Sequence, residues 1–241
     1  MVEFLNGFGV LILYYMLFIV VVLFTRRFFA PKSEIFRKLL HIGALFSIFV
    51  FLFAFSIWWH AVTAGVALSL LIFLVLHFAE RFKSFDTLLV QRKPNEVKWS
   101  MIQMFAAFGI VISVSKGIFD SNALAIASLF TWGFGDAAAA LVGKRFGKHK
   151  LEGKMIEGTK SIEGCVAMTA ASFCICAVVL LCKGFVSWYI SIIAAAAAGI
   201  VGAIVELYTR NGADTITVPL ATLVVLSVIL WIFGGLVPTW M

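Results

Sequence analysis

About eight windows of roughly 17–24 residues run through the sequence almost without a charged side chain. As a helix, each window is long enough to cross a hydrocarbon core about 30 Å thick. A soluble domain carries roughly 25% charged residues, whereas this chain is 13% charged and 63% hydrophobic. A soluble globule is therefore excluded. The sequence predicts an all-α, polytopic membrane protein.

The longest apolar runs between charges set the boundaries of the predicted spans. These spans are approximately 4–24, 40–58, 61–79, 101–117, 121–143, 163–182, 188–207 and 217–237. The remaining residues, about 80, are divided among loops and tails too short to bury a core of their own. We therefore expect a single integral membrane domain over residues 1–241. The first window has neither a basic segment before it nor a small-residue cleavage site, so we expect it to persist as a helix.

The basic residues are distributed very unevenly among the loops. Of the 19 Lys and Arg residues, all but Lys116 and Lys183 fall in alternate loops. The positive-inside rule places such loops in the cytoplasm. We therefore expect cytoplasmic loops at about 25–39, 80–100, 144–162 and 208–216, with both termini on the non-cytoplasmic side. The net charge of +7 thus indicates topology, and no nucleic acid partner is expected.

Asp136 is the most unusual residue of the predicted spans. It follows Gly133 and Gly135 in the fifth span and lies about seven residues, or roughly 10 Å, inside the basic loop. An ionised carboxylate at that depth is costly unless it is paired, hydrated or bound to a metal, so it marks a candidate functional site. The alternative is a salt bridge that only holds two helices together.

The loop after Asp136 interleaves glycine with basic residues, in the order Gly143-Lys144-Arg145-Phe146-Gly147-Lys148-His149-Lys150. Backbone N–H groups and cationic side chains of this kind can hold a polyphosphate, and Lys160 could contact a terminal phosphate. Glu157 and Glu163 add oxygen ligands for Mg²⁺, which favours carboxylates together with substrate phosphates. Taken alone, the loop is better explained as a solvated, inside-positive loop that binds anionic headgroups. The neighbouring Asp136 shifts the balance toward a site.

Two further clusters fall on the same predicted side of the membrane. Arg37 and His41 open the second span at i and i+4, on one helical face, although they could also be a snorkelling anchor pair. Asp214 precedes the eighth span, where a helix N-cap is the alternative. The segment from Glu206 to Asp214 places two carboxylates and a glycine turn at the membrane edge, although Glu206 and Arg210 could simply be an i,i+4 surface pair.

Acidic and basic residues that are far apart in the sequence thus converge on one predicted membrane face. The acidic candidates for a divalent cation are Asp136, Glu163 and Asp214. The basic candidates for a nucleotide are Arg37, Lys144, Arg145 and Lys160. Phosphoryl transfer needs little more than metal-clamped phosphates, cationic charge and a positioned nucleophile. The pattern predicts transfer from a cytoplasmic nucleotide to an acceptor dissolved in the membrane.

Four segments resemble the successive motifs of the polyprenol kinase family, which includes dolichol kinase, phytol kinase and CTP-dependent diacylglycerol kinase. The segments are Arg37–His41, Gly135–Gly147, Lys160–Gly164 and Asp214–Pro219. The resemblance extends from about residue 37 to 220, and its specific part runs from Gly135-Asp136 through Lys160-Ser161-Ile162-Glu163-Gly164. Thr215 departs from the motif, because the family often has Asn there.

The resemblance implies an integral membrane phosphotransferase that moves the γ-phosphate of CTP to the hydroxyl of a lipid alcohol, with Mg²⁺ or another divalent cation. It implies that Asp136 is a metal ligand or general base, and that Glu163 and Asp214 are further metal candidates. The other implied catalytic residues are His41, Arg37 and Lys160. The implied nucleotide-binding residues are Lys38, Gly143, Lys144, Arg145, Gly147, Lys148, Ser161 and Gly164.

Two other functions remain open at this point. A CTP:phosphatidate cytidylyltransferase has similar Gly-Asp and Lys-x-x-Glu-Gly segments, but it attacks the α-phosphate and has a later motif that is missing here. A transporter could bind an anion at a broken fifth helix, although the charges gather at one face and not at the midplane. The sequence does not distinguish a polyprenol or dolichol, a phytol-type isoprenoid and diacylglycerol as acceptor. We expect a prokaryotic plasma membrane or, in a eukaryote, the endoplasmic reticulum or a plastid.

Overall fold

The computed structural model describes residues 2–29, 33–79, 96–153, 156, 160–210 and 212–240. Within these ranges, 8 helical segments are long and apolar enough to cross a membrane. This confirms the predicted number of spans and the predominantly helical fold. The sidedness of the termini and the assignment of one membrane domain to the whole chain stay predictions.

The helices are α1 (Val2–Phe29), α2 (Ser33–Phe46), α3 (Ile48–Phe53), α4 (Trp58–Ala79), α5 (Glu96–Gly117), α6 (Asn122–Phe146), α7 (Ile162–Lys183), α8 (Trp188–Tyr208) and α9 (Asp214–Ile232). An antiparallel hairpin of two short strands, β1 (Lys150–Leu151) and β2 (Lys160–Ser161), lies between α6 and α7. The chain divides into two compact units, Met1–Gly109 and Ile110–Met241.

The predicted second span, 40–58, is displaced toward the N-terminus in the structure. Helices α2 and α3 form the candidate span Glu34–Phe53. The sequence boundary was placed after the charges of Arg37 and Lys38, but α2 contains both of them. Lys38 is buried, and Nη1 of Arg37 lies 3.5 Å from Oε2 of Glu34. Charged side chains at the start of the span therefore did not end the helix, and Glu34 of the same helix provides Arg37 with a partner.

Helices also extend into all four predicted loops, and α5 begins at Glu96 within the 80–100 loop. Helix α1 continues to Phe29, α6 continues to Phe146 and α9 begins at Asp214. The last turns of α1 and α6 each carry two basic residues, which suit the partial negative charge of a helix C-terminus. The last span ends at Ile232 instead of 237. Most of the predicted 80–100 loop, up to residue 95, lies outside the described residues.

In the first unit, the junction between α2 and α3 is held by a serine. Ser47 donates a hydrogen bond to the carbonyl of Ala44 at 2.7 Å, and its hydroxyl lies 3.0 Å from the hydroxyl of Tyr15 on α1. Phe51 of α3 packs edge-to-face on Phe108 of α5, with ring centroids 5.7 Å apart. These contacts place the helix break inside the core of the unit.

In the second unit, α6 is the central helix and packs against α7, α8 and α9. Two hydroxyls from neighbouring helices donate to its backbone carbonyls. Ser172 of α7 reaches the carbonyl of Thr131 at 2.8 Å, and Thr222 of α9 reaches that of Ser128 at 3.2 Å. Interhelical hydrogen bonds and close packing hold helices together in lipid, where the hydrophobic effect does not act between them.

Gly135 of α6 lies directly against two side chains of α7. A Cβ atom placed there would overlap Oγ of Ser172 and would lie 3.1 Å from Cγ of Met168. A side chain in this position would displace the Ser172 hydroxyl from its hydrogen bond to Thr131. Gly135, and with it the backbone just before Asp136, is therefore packed against α7.

The first prediction tests this packing. Gly135→Ala should destabilise the protein by about 1–3 kcal/mol because the added methyl overpacks the helix interface, even though alanine is intrinsically the better helix former. Gly9→Ala is the matched control, because nothing lies within 4 Å of a Cβ on that glycine of α1. Thermal unfolding in detergent measures both. Equal melting temperatures for the two variants would contradict the close approach.

Candidate functional site

Four helix ends of the second unit lie together, and we call this region the hairpin end. It comprises the C-terminus of α6 (143–147) and strand β2 with the start of α7 (160–164). It also includes the C-terminus of α8 (206–209) and the start of α9 (214–217). Contacts across it join α6 to α7, the hairpin to α8, and α8 to α9. The last of these is between the hydroxyls of Thr209 and Thr217, 3.0 Å apart.

Ser161 joins α6 to α7 and is surrounded by glycines. Its hydroxyl accepts the N–H of Gly164 at 3.1 Å and so caps α7. A Cβ on Gly147 would lie 2.7 Å from Oγ of Ser161, and one on Gly143 would lie 3.3 Å from it. A Cβ on Gly164 would lie 3.1 Å from the carbonyl oxygen of Ala139. Tight packing thus accounts for these glycines, and their predicted contact with a nucleotide stays a prediction.

Lys160 extends toward the end of α8. Its Nζ lies 3.0 Å from Oε1 of Glu206 and donates to the carbonyls of Glu206 and Leu207, the latter at 3.3 Å. The two side chains are 19% and 15% exposed. A cation on the last carbonyls of a helix is stabilised by the helix dipole. Lys160 therefore ties the hairpin to α8, whatever else it binds.

The sequence did not anticipate the Lys160–Glu206 pair. A phosphate was expected for Lys160, and Glu206 was interpreted as the partner of Arg210. The pair joins residues 46 positions apart in the chain, which local spacing does not reveal. One signal was available, because Glu206 is the acidic residue of the otherwise apolar helix α8.

Glu163 holds the start of the hairpin against α7. Its carboxylate accepts the backbone N–H of His149 at 3.2 Å, and its Oε1 lies 2.8 Å from Nδ1 of the same residue. The N–H of Ile162 donates to the carbonyl of His149 at 3.0 Å. Glu163 is thus engaged within the protein, and its role as a metal ligand stays a prediction. Glu157 lies outside the described residues.

Asp136 and Asp214 occupy different positions in their helices. Asp136 is partly buried in α6, ten residues before the last residue of that helix, which is about 15 Å along the axis. Asp214 is in the first turn of α9 and follows Ala213, the N-cap. The N-cap interpretation of Asp214 was therefore wrong by one position. Its charge still suits the positive end of the α9 dipole.

The acidic residues do not form a closed metal cage. Within the part of the chain that the structure describes, no group of three or more His, Cys, Asp or Glu side chains is arranged to hold a metal ion. Mg²⁺ is often bound by one or two carboxylates together with substrate phosphates. The donors present here fit a divalent cation only in that open form, completed by a nucleotide. Asp136, in the middle of α6, and Asp214, in the first turn of α9, are the carboxylate candidates on the helices themselves.

The remaining basic candidates separate into two groups. Lys144, Arg145 and Lys148 are exposed at the hairpin end, with the Arg145 guanidinium 5.2 Å from the ring centroid of Phe146. Arg37, Lys38 and His41 share helix α2 in the first unit. The exposed group presents positive charge where a polyanion can reach it. The predicted roles of the α2 group stay predictions.

The fold and the hairpin end define an integral membrane protein that concentrates opposite charges at helix ends. Over 198 residues the chain is 28% identical to the phytol kinase of Synechocystis sp., covering 81% of this chain and 79% of that protein. No family model matches the chain. No solved structure matches it either. The similarity supports the resemblance to polyprenol and phytol kinases over most of the length.

The Lys160–Glu206 pair gives the second prediction. Removing either partner (Lys160→Met or Glu206→Gln) should destabilise the protein, and a double-mutant cycle should give a coupling of about 1–3 kcal/mol because the pair is largely buried. Lys116 and Asp120 form the control pair, with nitrogen and oxygen 2.6 Å apart and Asp120 72% exposed. Exposed pairs contribute about 0–1 kcal/mol.

Both cycles are measured by thermal unfolding in detergent. The assignment fails if the coupling between Lys160 and Glu206 is no larger than that between Lys116 and Asp120.

Proposed function

We propose that the chain is a lipid kinase that transfers the γ-phosphate of CTP to the hydroxyl of a membrane lipid alcohol. The observation that carries the proposal is the similarity to a phytol kinase over 81% of the chain. The choice of CTP rests on the four sequence motifs shared with polyprenol kinases. The acceptor class is an alcohol on an apolar tail, either a polyprenol, a phytol-type isoprenoid or diacylglycerol.

The reaction requires few protein groups. The oxygen of the lipid hydroxyl attacks the γ-phosphorus and forms a new P–O bond. The bond from that phosphorus to the β–γ bridging oxygen breaks, CDP leaves, and the hydroxyl proton passes to a base. Positioning and charge stabilisation provide most of the catalysis in such transfers. A protein built around a membrane helix bundle needs only to bring the nucleotide to the level of the hydroxyl.

The hairpin end, Lys148 next to it and Asp136 farther along α6 offer groups for these tasks. Lys144, Arg145 and Lys148 are exposed there and would bind the phosphates through charge-assisted hydrogen bonds. Asp136 and Asp214 would hold a divalent cation, which neutralises phosphate charge when it is bound. Asp136 is alternatively the base that accepts the hydroxyl proton.

The third prediction concerns Asp136. Asp136→Asn keeps the shape of the side chain and removes its charge, so it should lower lipid phosphorylation at least about 100-fold. Asp120→Asn is the control variant and should leave the rate unchanged. Asp120 is an exposed loop residue with a positive φ, a conformation that asparagine also tolerates. The measurement is the initial rate of phosphorylated lipid formation by monodisperse protein. Near wild-type turnover by a folded Asp136→Asn variant would remove Asp136 from the mechanism.

The fourth prediction concerns the divalent cation. Because the described carboxylates form no closed cage, the cation should bind weakly without nucleotide, and a chelator such as EDTA should abolish the activity promptly. Added Mg²⁺ should restore it fully. The melting temperature without nucleotide should stay the same through both steps. A large loss of thermal stability in EDTA would instead indicate a structural metal.

The function itself is tested with CTP that carries label at either the γ- or the α-phosphate. The purified protein is incubated with Mg²⁺, a panel of lipid alcohols and phosphatidate, and the lipid phase is counted. We expect label from γ-CTP in one alcohol. Label from α-CTP alone would show a cytidylyltransferase. No transfer from any nucleotide would exclude the kinase and favour a transporter.

A further inference from the structure

An apolar groove of about 480 Å³ runs between α7 and α8. Its lining includes Ile162, Val166, Ala170, Phe173, Ile200 and Leu207. Thr169 also lines it, but its hydroxyl donates to the carbonyl of Cys165 at 3.0 Å, so that donor is already satisfied within α7. The wall of the groove therefore favours hydrocarbon.

The groove results from small residues where the two helices meet. A Cβ on Gly199 would lie 2.9 Å from the carbonyl oxygen of Thr169 and 3.2 Å from the backbone nitrogen of Phe173, so α7 and α8 touch there through their backbones. Beside this contact, Ala170 and Ala196 leave the space between the helices unfilled. Small residues at such crossings are typical of membrane helices, and here they also leave the groove.

One end of the groove lies next to an ion pair. Leu151, which lines it, is the hairpin partner of Lys160, and Leu207, which also lines it, accepts a hydrogen bond from Nζ of Lys160. The Lys160–Glu206 ion pair therefore borders the groove at the hairpin end. Away from the hairpin end, the groove is lined by Ala170 and Phe173 of α7. The groove is thus apolar along its length and carries an ion pair at one end.

This arrangement matches a molecule with one small polar end and an apolar tail. Val166 and Ile200 at the rim are 62% and 50% exposed and lie within the candidate membrane spans, so the groove opens to hydrocarbon. A hydroxyl can donate to the Glu206 carboxylate, whose two oxygens accept more hydrogen bonds than the one contact with Lys160 uses.

We propose that the groove between α7 and α8 binds the apolar tail of the lipid alcohol, with the Glu206 carboxylate, held by Lys160, accepting the hydrogen bond of its hydroxyl. This inference rests on the proposed kinase function and deepens it, because it assigns the acceptor to a particular face of the second unit. Glu206 then positions the acceptor as well as pairing with Lys160.

The test uses two exposed valines of the same helix. Val166 lines the groove and Val178, which is 56% exposed, does not. Val166→Trp should fill the groove and lower kcat/KM for a long-tailed alcohol at least about tenfold, since hydrophobic pockets discriminate strongly by volume. KM for CTP and the rate with a short, water-soluble alcohol should stay within about twofold of wild type. Val178→Trp should behave as wild type in every assay.

A second readout does not depend on catalysis. A long-tailed alcohol carrying a photoreactive diazirine is crosslinked to the wild-type protein without nucleotide, and the labelled peptides are mapped. We expect label on α7 and α8 at the groove, and its loss in Val166→Trp but not in Val178→Trp. Label elsewhere, equal effects of the two variants, or equally strong groove labelling by a diazirine phospholipid would overturn the inference.

The two readouts test the groove assignment and the kinase function separately. If the wild-type protein phosphorylates the alcohol but the label maps elsewhere, the groove assignment is wrong and the kinase assignment stands. If the wild-type protein phosphorylates no alcohol, the kinase assignment fails and the groove is not an acceptor site.

Discussion

The contact between α6 and α7 is the interaction on which the second unit depends. Helices in lipid associate through close packing and hydrogen bonds between them, and both occur at Gly135. The missing side chain lets Ser172 and Met168 approach, and the Ser172 hydroxyl bonds the Thr131 carbonyl. Further along the same interface, Gly143 and Gly164 meet around Ser161. The position of Asp136 and the direction of the hairpin both follow from this contact.

The hairpin end contains both largely buried and exposed charged residues. Lys160 is bound to the end of α8 and Glu163 to His149, so these two residues hold the frame. Lys144, Arg145 and Lys148 stay exposed beside it. The division suits a membrane enzyme that must fix the hairpin in place and still present cations to a nucleotide. The groove between α7 and α8 adds an apolar approach that ends at the same ion pair.

The sequence predicted the spans well because hydropathy depends on local composition, which any window of the chain shows. It misplaced the second span because Arg37 and Lys38 were treated as helix ends, although both lie within α2. It identified Ser161 and the glycines around it as a motif but not as a packing cluster, since close approach is a property of two helices. The Lys160–Glu206 pair and the groove depend on how α7 and α8 meet, and no spacing within either segment contains that information.

The most direct test of the central claim is the stoichiometry of the nucleotide product. Purified protein, Mg²⁺, CTP and a single lipid alcohol are allowed to react, and CDP, CMP, pyrophosphate and lipid phosphate are measured together. A lipid alcohol kinase forms one CDP for each lipid phosphate, with no pyrophosphate. Formation of pyrophosphate, or CDP without lipid phosphate, would contradict the account.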